Sequence, residues 1–509
     1  MKLISKLILI YIKLNFYRLK SDINYSDLNF KRIEFTNFRQ IKTFIFKKKF
    51  FNIKDVNVYN FDYLNFTNNL GGKLGLSLSM KSIFEWFKVY KNKLDQSWGK
   101  DLPSKRLINL IYNYEFIKSS AIDSEIKNLN KVIYFHMMRI LFEFKYKKFN
   151  QISSYELKAY VLSLFILKKD NIKNLYFYEK IINSQIDRLG VHKSYNILEH
   201  SKFINNLNEL KNIFLYFDES VPQVIDKSIL LMSSILIQYF HKDGSIPLFN
   251  GANNNYTKLI YDNINKEEFL KLRDFSNSKN GIAFYNDRYK KIFFDVVQPS
   301  RDSFNNLSAG TLSMEISSDG EKIITNCGAS ENKGANPEFL RYSAAHSTII
   351  IQNTNISEIK QDNPHIKYPQ KVSFNYEENE NETIFEGSHN GYSEKFNKVI
   401  KRKLEITKRE LKISGEDSII STKKINKKTI YHIRFHLMPN ISFNITNNKK
   451  GVIIKTKSNK IWLFKTSSEL RIEDSILVDN NITQQIKQIV IRGVALKNKQ
   501  VEKWSLKRI

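Results

Sequence analysis

Residues 431–437 read Tyr-His-Ile-Arg-Phe-His-Leu, and this stretch shows the pattern that decides the fold of the C-terminal half. Apolar and polar side chains alternate, a period of two that is typical of a β-strand. The same alternation occurs at 311–316 and 372–376. Clusters of Gly, Asn, Asp and Ser at 318–320, 379–381, 414–416 and 447–451 indicate turns. Many short strands with no helical segment between them predict a large antiparallel β-sandwich.

The pattern before residue 240 has a helical period instead. Apolar residues recur at intervals of three and four at Phe203, Leu207, Leu210 and Phe214, and again at Ile225, Ile229, Met232 and Leu236. Segments 132–142 and 157–167 are similar, and successive amphipathic helices predict an all-α domain. We therefore expect a multidomain α plus β chain: an N-terminal helical or irregular extension over 1–75, a helical domain over 76–275 and the sandwich over 280–509.

Composition narrows the classes of function. The chain has 509 residues, 42% hydrophobic and 13% aromatic, which is ample apolar surface for folded cores. Its single cysteine, Cys327, excludes an internal disulfide and a multi-thiolate metal site. The sequence has no Gly-rich phosphate loop, no His-Glu-x-x-His motif and no Gly-x-Ser-x-Gly elbow. The formal charge of +30 implies an anionic partner, which leaves nucleic acid, an anionic lipid surface and an acidic polysaccharide open.

Two N-terminal segments bear on these alternatives. The apolar run at 7–12 is too short to span a membrane, so it predicts an amphipathic helix, with an atypical export signal or a weak anchor to an anionic surface as the alternative. Lysines 47–49 lie among phenylalanines. They favour a solvated turn beside core aromatics over a nucleic-acid surface.

Three histidine-containing segments are candidate sites. His192 lies in a polar, glycine-containing stretch between helical segments, where it is either a ligand-facing residue or a capping or surface histidine. His346 follows two alanines and opens a β-branched strand, so its ring is expected at the rim of a sheet. His432, Arg434 and His436 share one strand face at intervals of about 7 Å. They form either a carboxylate or sulfate reader or a solvated outer face.

At these same residues the sequence resembles the heparinase II/III-like family of polysaccharide lyases, over most of the chain and in the right order. The matching motifs are Trp98, Pro103 and Arg106-Leu-Ile-Asn109, then Gly190-Val-His192, Asp243-Gly-Ser-Ile-Pro-Leu-Phe-Asn-Gly251, Ala309-Gly-Thr-Leu-Ser-Met-Glu315, the glycine-flanked stretch 320–328, Arg341-Tyr-Ser-Ala-Ala-His-Ser-Thr348 and Phe435-His-Leu437.

The resemblance implies an N-terminal (α/α) toroid, a C-terminal antiparallel β-sandwich, and β-elimination of a uronic-acid polysaccharide in the cleft between them. The resemblance implies that His192 is the base or contacts the uronate carboxylate, and that His346 is a further catalytic residue. Tyr256 is the candidate for the acid, by its position alone. The residues that we assign to substrate binding are Tyr195, Asn250, Arg341, Arg434 and His436. The family also implies a cell-envelope or periplasmic location.

The chain departs from the family's pattern at three places. Asn306-Leu-Ser308 stands where members have His-x-His, and Asn326 stands where some have a metal-binding Asp. Ser and Asn are poor zinc ligands, so we expect no metal and no cofactor. Tyr195 replaces a common arginine. The expected partner is an acidic polysaccharide and not nucleic acid; a relative that binds or helps assemble surface polysaccharide without cleaving it, and a nucleic-acid-binding protein, are the alternatives.

Overall fold

The computed structural model describes most of the residues that follow residue 58. It describes residues 59–93, 95–99, 101–168, 175–254, 257, 260–261, 281–299, 307–330, 338–359, 367–423, 428–480 and 482–509. These residues form two compact units. One contains the described residues through Gln185 together with Lys202–Ile229, and the other contains Ile186–Ser201 and the described residues from Leu230 to Ile509.

The region before residue 240 is helical, as the apolar period predicts. Its helices are α1 (Tyr63–Leu70), α2 (Gly72–Tyr90), α3 (Leu102–Tyr112), α4 (Tyr114–Lys118), α5 (Asp123–Phe144), α6 (Ser154–Ile166), α7 (Leu175–Gln185), α8 (Ile197–Tyr216) and α9 (Gln223–Leu236). All eight residues that carried the predicted spacing in α8 and α9 are buried. Helix α6 begins with a capping box, in which the Ser153 hydroxyl accepts from the Glu156 backbone N–H at 3.2 Å and the Glu156 carboxylate accepts from the Ser153 N–H at 2.9 Å.

The conspicuous Trp and Arg of the early motif have a structural role. The Arg106 guanidinium lies over the rings of both Trp86 and Trp98, with its Cζ 4.1 and 4.5 Å from their centroids. Its Nη1 donates to the carbonyls of Tyr59 and Ser97 at 2.6 and 2.9 Å. Because Tyr59 itself is buried here, residues before the predicted boundary at 75 are part of the helical core. Helix α2 also runs across residue 75, and the boundary predicted at 275–280 lies in a segment outside the described residues.

The C-terminal part is an antiparallel β-sandwich. Its strands are β1 (Ile282–Asn286), β2 (Lys290–Asp295), β3 (Met314–Ser318), β4 (Glu321–Thr325), β5 (Ile349–Ile351), β6 (Val372–Glu378), β7 (Glu382–Tyr392), β8 (Lys398–Thr407), β9 (Lys412–Ser421), β10 (Thr429–Leu437), β11 (Ser442–Ile445), β12 (Gly451–Lys455), β13 (Ile461–Thr466), β14 (Leu470–Asp479), β15 (Ile482–Ala495) and β16 (Lys499–Arg508), with a short helix α10 (Ser393–Phe396) after β7.

The strands form two sheets. The first has the order β1-β2-β3-β4-β10-β15-β14, with β5 also pairing to β10, and the second has the order β11-β12-β13-β16-β9-β8-β7-β6. The core lies between the two sheets. In it the ring of Phe435, from the first sheet, packs against the rings of Phe464 and Trp504 from the second, with centroid distances of 4.9 and 5.0 Å. Helices followed by an antiparallel sandwich confirm the predicted fold class. Among the described residues, no helix has the length and apolar character needed to cross a membrane.

One predicted turn is wrong. Residues 414–416 were expected to form a turn, but they lie in the middle of β9. A Cβ on Gly415 would lie 2.2 Å from the ring of Trp504, so glycine is present because an indole covers this position and not because the chain turns. The other turns are confirmed: 318–320, 379–381 and 447–451 connect successive strands.

Candidate active site

The loop that carries His192 is closed by hydrogen bonds to Asp187. The Asp187 carboxylate accepts from the N–H groups of Leu189 and Val191, both at 2.9 Å, and the Gly190 N–H donates to the Asp187 carbonyl at 3.0 Å. Gly190 has φ +82°, and a Cβ there would lie 2.5 Å from Leu231 Cγ. The glycine is therefore required both by the backbone conformation and by the close approach of α9.

His192 lies inside this loop and is not a surface residue. It is 5% exposed, its Nδ1 lies 2.7 Å from the Ser194 hydroxyl, and its backbone N–H donates to His200 Nδ1 at 3.2 Å. Burial lowers the pKa of His192 to about 3, so the ring is neutral at pH 7. The alternative of a surface histidine is wrong.

Asn250 joins the His192 loop to the sandwich. Its Nδ2 donates to the Tyr195 carbonyl at 3.2 Å, and its Oδ1 accepts from the Ser308 N–H at 3.0 Å. Its own carbonyl accepts from Asn196 Nδ2 at 3.0 Å. One buried amide thus ties together two segments that lie more than fifty residues away from it in either direction.

The segment 307–310 is held on its other side by the Arg341 motif. Arg341 Nη2 donates to the Leu307 carbonyl at 3.0 Å, and the Ala309 N–H donates to the Arg341 carbonyl at 2.8 Å. The Ser343 hydroxyl donates to the Ala309 carbonyl at 2.7 Å. Arg341 is half-buried, and burial lowers its pKa. In this structure it orders the loop backbone, and contact with substrate stays a prediction.

His346 lies against the same segment. A Cβ on Gly310 would lie 2.9 Å from His346 Cγ, so the ring covers that glycine. His346 is 3% exposed, and neither ring nitrogen has a hydrogen-bond partner among the described residues. Burial lowers the pKa of His346 to about 4, against the opposing charge of Glu315. A buried ring with both nitrogens unpaired is a candidate for contact with a bound molecule.

The residues around His346 do not fit a zinc site. The Asn326 amide is already committed, because its Oδ1 accepts from the Ser347 N–H at 2.9 Å and its Nδ2 donates to Glu315 at 3.1 Å. Ser308 offers only a hydroxyl, a poor ligand for this ion. Within the part of the chain that the structure describes, no three His, Cys, Asp or Glu side chains come together as a metal site would require.

The three residues on β10 share a face, but they differ in exposure. His432 and His436 are buried, and Arg434 is half-buried with its Nη1 3.2 Å from the Glu473 carboxylate. The Nδ1 of His436 lies 2.8 Å from the Ser475 hydroxyl. The alternative of a fully solvated outer face is therefore wrong.

Of the two tyrosines selected from the sequence, Tyr195 and Tyr256, the structure describes Tyr195. Tyr195 is half-buried with φ +48°, and it takes part in the site through its carbonyl; burial raises the pKa of its phenol. Tyr256 lies outside the described residues. The structure thus links His192, Tyr195, Asn250, Arg341 and His346 through short contacts, and these residues are called the linked site below.

A model of the family described as heparinase II/III-like, C-terminal, matches residues 272–505. The C-terminal domain belongs to the heparinase II/III-like family. No curated protein matches the chain.

Several solved structures align with most of the chain. Heparan sulfate lyase HepC from Pedobacter heparinus superposes with a TM-score of 0.61 at 12% identity, covering 99% of this chain and 88% of that one. A crystal structure of heparinase III gives 0.68 at 12% identity, covering 89% and 77%. A further heparinase III structure gives 0.66 at 11% identity, covering 99% and 88%. At these identities the likeness shows the fold.

Sequence reasoning missed a buried charge cluster in the heparinase II/III-like domain. The Glu315 carboxylate, fully buried on β3, accepts from His241 Nε2 at 2.9 Å and from Lys322 Nζ at 3.0 Å. It also accepts from the Asn326 N–H at 3.1 Å. The available signal was a glutamate between Met314 and Ile316 in a predicted strand; its partners, 74 and 7 residues away, were not apparent.

A second missed pair lies in the sandwich core. Arg402 of β8 makes two hydrogen bonds to the Asp417 carboxylate, at 2.6 and 2.9 Å, and donates to the carbonyls of Leu312 and Ser347 at 2.9 and 2.8 Å. It therefore reaches from the second sheet to the segment that carries His346. The signal was present, since Arg402 occupies a core-facing position in the alternation of β8.

Proposed function

We propose that this protein cleaves an acidic, uronic-acid-containing polysaccharide by β-elimination at the linked site. The observation that carries the proposal is the convergence of the His192 loop, Asn250 and the His346 segment through direct hydrogen bonds and packing. These segments come from distant parts of the sequence, and the network serves no single element of secondary structure. A fixed array of this kind is what positions catalytic groups.

The reaction assigns a task to each group. A base removes the proton α to the uronate carboxylate, a carbon–carbon double bond forms, the bond to the glycosidic oxygen breaks, and an acid protonates that oxygen. Charge developing on the carboxylate must be stabilised by donors. We assign His192 as base or carboxylate contact, His346 as the second imidazole and Tyr256 as acid.

The charge state of the two histidines supports this assignment. Burial holds the pKa of His192 at about 3 and that of His346 at about 4, so both rings are neutral at pH 7 and, by themselves, weak bases. A uronate carboxylate bound beside either ring would stabilise its imidazolium form and raise its pKa. Substrate binding would therefore make the base stronger where it is needed.

The charge of the chain supports an acidic polymer as the substrate. A formal charge of +30 attracts polyanions over a distance set by the ionic strength, so binding should weaken as salt rises. Such polymers are found at cell surfaces, and we place the protein in the cell envelope or periplasm on this basis.

The test measures the ultraviolet absorbance of the unsaturated uronate that β-elimination creates, over a panel of alginate, heparan sulfate, chondroitin sulfate and bacterial exopolysaccharides. Wild type should cleave at least one polymer, and His192→Ala should lose about 100-fold or more of the turnover. His389→Ala is the matched control, because His389 is as deeply buried in β7 with a pKa lowered to about 3. Equal losses in the two variants would indicate damage to the fold and not to the chemistry.

A second candidate function is binding or assembly of surface polysaccharide without cleavage. Two observations favour it: Asn326 is committed to structural hydrogen bonds, and His192 is deeply buried with its Nδ1 beside Ser194. Salt-sensitive binding of one polymer with no change in absorbance would select this candidate.

A further inference from the structure

The outer face of the first sheet, opposite the sandwich core, carries a group of cations next to the linked site. The register of β10, β15 and β14 places His432 opposite Arg492, and Arg434 opposite Val490, which is itself opposite Arg471. Directly opposed residues share a face, and diagonal neighbours lie about 7–8 Å apart. Arg434, Arg471 and Arg492 therefore surround Val490, and we call this group the arginine triangle.

The arginine triangle has little internal compensation. Val490 at its centre is 1% exposed, whereas Arg471 and Arg492 are exposed and form no ion pair with any described residue. Arg434 alone has an acidic partner, Glu473, at 3.2 Å. Like charges on neighbouring strands repel one another, so this arrangement favours an anion that would bridge them.

Buried polar atoms at the edge of the triangle also lack partners. Arg434 Nε and His432 Nδ1 are buried, and neither has a hydrogen-bond partner among the described residues. His432 lies opposite Arg492 and two residues from Arg434 on the same face, and burial together with these two charges lowers the pKa of His432. Unpaired buried donors are uncommon in folded proteins and indicate a missing partner.

The triangle is continuous with the linked site. His436, two residues from Arg434 on the same face, donates its backbone N–H to the Ser347 hydroxyl at 3.0 Å, and Ser347 follows His346. A polymer bound at His346 could extend along β10 to the triangle within one or two sugar units, since alternate residues of a strand are about 7 Å apart.

We propose that Arg434, Arg471 and Arg492 form a subsite for a carboxylate or sulfate group of the polysaccharide, beyond the sugar at which cleavage occurs. The proposal rests on the proposed function for the nature of the polymer. Guanidinium groups bind planar carboxylate and sulfate oxygens through paired N–H donors, which a lysine cannot reproduce. The subsite would hold the polysaccharide in register. It would contribute to affinity and not to the chemical step.

The test compares two double variants that remove the same charge. The Arg471→Ala/Arg492→Ala variant removes the two arginines of the triangle that form no ion pair with a described residue. The Lys455→Ala/Lys465→Ala variant removes two exposed lysines from the outer face of the second sheet. Affinity for heparan sulfate, chondroitin sulfate and alginate is measured by calorimetry at several salt concentrations. The arginine variant should bind about five- to tenfold more weakly, with a shallower salt dependence, and the lysine variant should change less than twofold.

The outcomes separate the two proposals. Equal losses in both variants would show general charge attraction and would overturn the subsite, as would unchanged affinity in the arginine variant or no binding of any polymer by wild type. A selective loss in the arginine variant without absorbance change on any polymer would retain the subsite and reject the lyase. If wild type cleaves a polymer and the arginine variant binds that polymer with unchanged affinity, the lyase would be retained and the subsite rejected. Arg471→Lys/Arg492→Lys should restore less than half of the lost affinity if paired N–H donors are required.

Discussion

Arg402 and Arg492 lie in the same β-sandwich, one in its interior and one on its outer face. Arg402 is 0% exposed, and its guanidinium donates to Asp417 and to the Leu312 and Ser347 carbonyls. Arg492 is exposed and has Arg434 and Arg471 as diagonal neighbours. A buried cation is tolerated only when it is fully paired, whereas an exposed one can stay unpaired because water solvates it.

The difference indicates which charges hold the fold and which are available to a ligand. Arg402 has its donors used inside the protein, so its replacement should act on stability. Arg471 and Arg492 have donors directed to solvent, so their replacement should act on binding.

The largest effect is expected at Arg402. Arg402→Ala leaves Asp417 buried without its cation, and we expect a loss of about 3–5 kcal/mol in the free energy of unfolding, measured by urea denaturation. Lys401→Ala on the exposed face of β8 is the control and should cost about 0–1 kcal/mol, because its pair with Glu386 is exposed. A loss under about 1 kcal/mol in Arg402→Ala would show that neither its buried pair with Asp417 nor its bonds to the Leu312 and Ser347 carbonyls stabilise the sandwich.

Glu315→Gln tests the second buried charge cluster. It leaves the Lys322 ammonium without a carboxylate, and we expect a loss of about 3 kcal/mol at pH 7. Burial alone would raise the pKa of Glu315, but Lys322 and His241 outweigh it and hold the pKa at about 2. A lowered carboxyl pKa stabilises the fold above the ordinary value of 4.5, and this contribution is lost as pH falls towards 2.

The difference between wild type and Glu315→Gln should therefore shrink as the pH of the denaturation buffer is lowered from 4.5 towards 2. A constant difference over this range would contradict an ionised Glu315. Thr325→Val is a suitable companion variant, because its hydroxyl lies 3.4 Å from Glu315 and carries no charge.

The buried histidines should have an intermediate effect on stability. Here the shifted pKa destabilises the fold at acidic pH, whereas the shifted pKa of Glu315 stabilises it at neutral pH. Burial lowers the pKa of each described histidine, to about 3 for His389 for example, from the ordinary value of 6.5. The folded state then binds fewer protons than the unfolded state, so stability falls as pH drops below 6.5. Each such group contributes up to about 1.4 kcal/mol per pH unit.

Replacing one of these histidines should make the acid slope shallower. His389→Gln should remove up to about 2 kcal/mol of the loss between pH 6.5 and pH 5, when urea midpoints are compared at the two values. An unchanged slope would show that His389 is protonated in the folded state.

The smallest effect on stability is expected in the arginine triangle. Arg471→Ala/Arg492→Ala should change the free energy of unfolding by less than about 0.5 kcal/mol, with a small gain from relieved repulsion. Thermal melting in low and high salt checks this, because added salt should stabilise wild type more than the variant. A large loss of stability would place these arginines with Arg402 on the structural side of the comparison.

The same contrast appears in what could be predicted from the sequence. The helical period in α8 and α9 and the alternation in β3, β6 and β10 were found correctly, because burial of one face imposes these periods locally. Asn250 and Arg341 were selected through motifs, but their contacts were not, because they depend on the loop 307–310.

The errors have a common cause. The Ser-Gly-Glu sequence of 414–416 is typical of a turn, whereas Trp504, almost ninety residues later, decides the role of Gly415. The core-facing position of Arg402 is visible in the alternation of β8, but nothing near it in the sequence indicates its partners Asp417, Leu312 and Ser347. A local pattern shows which face a residue occupies and not what lies opposite it.

Local patterns in the sequence were enough to predict a helical part followed by an antiparallel sandwich, the excess of positive charge and the segments that carry the candidate site. Tertiary contacts were needed to show that His192 is buried, that Asn250 and Gly310 link it to His346, and that three arginines surround Val490. The physical reason is distance along the chain. Periodicity arises from neighbours a few residues apart, whereas pairing, burial and pKa are set by residues that meet only after the chain has folded.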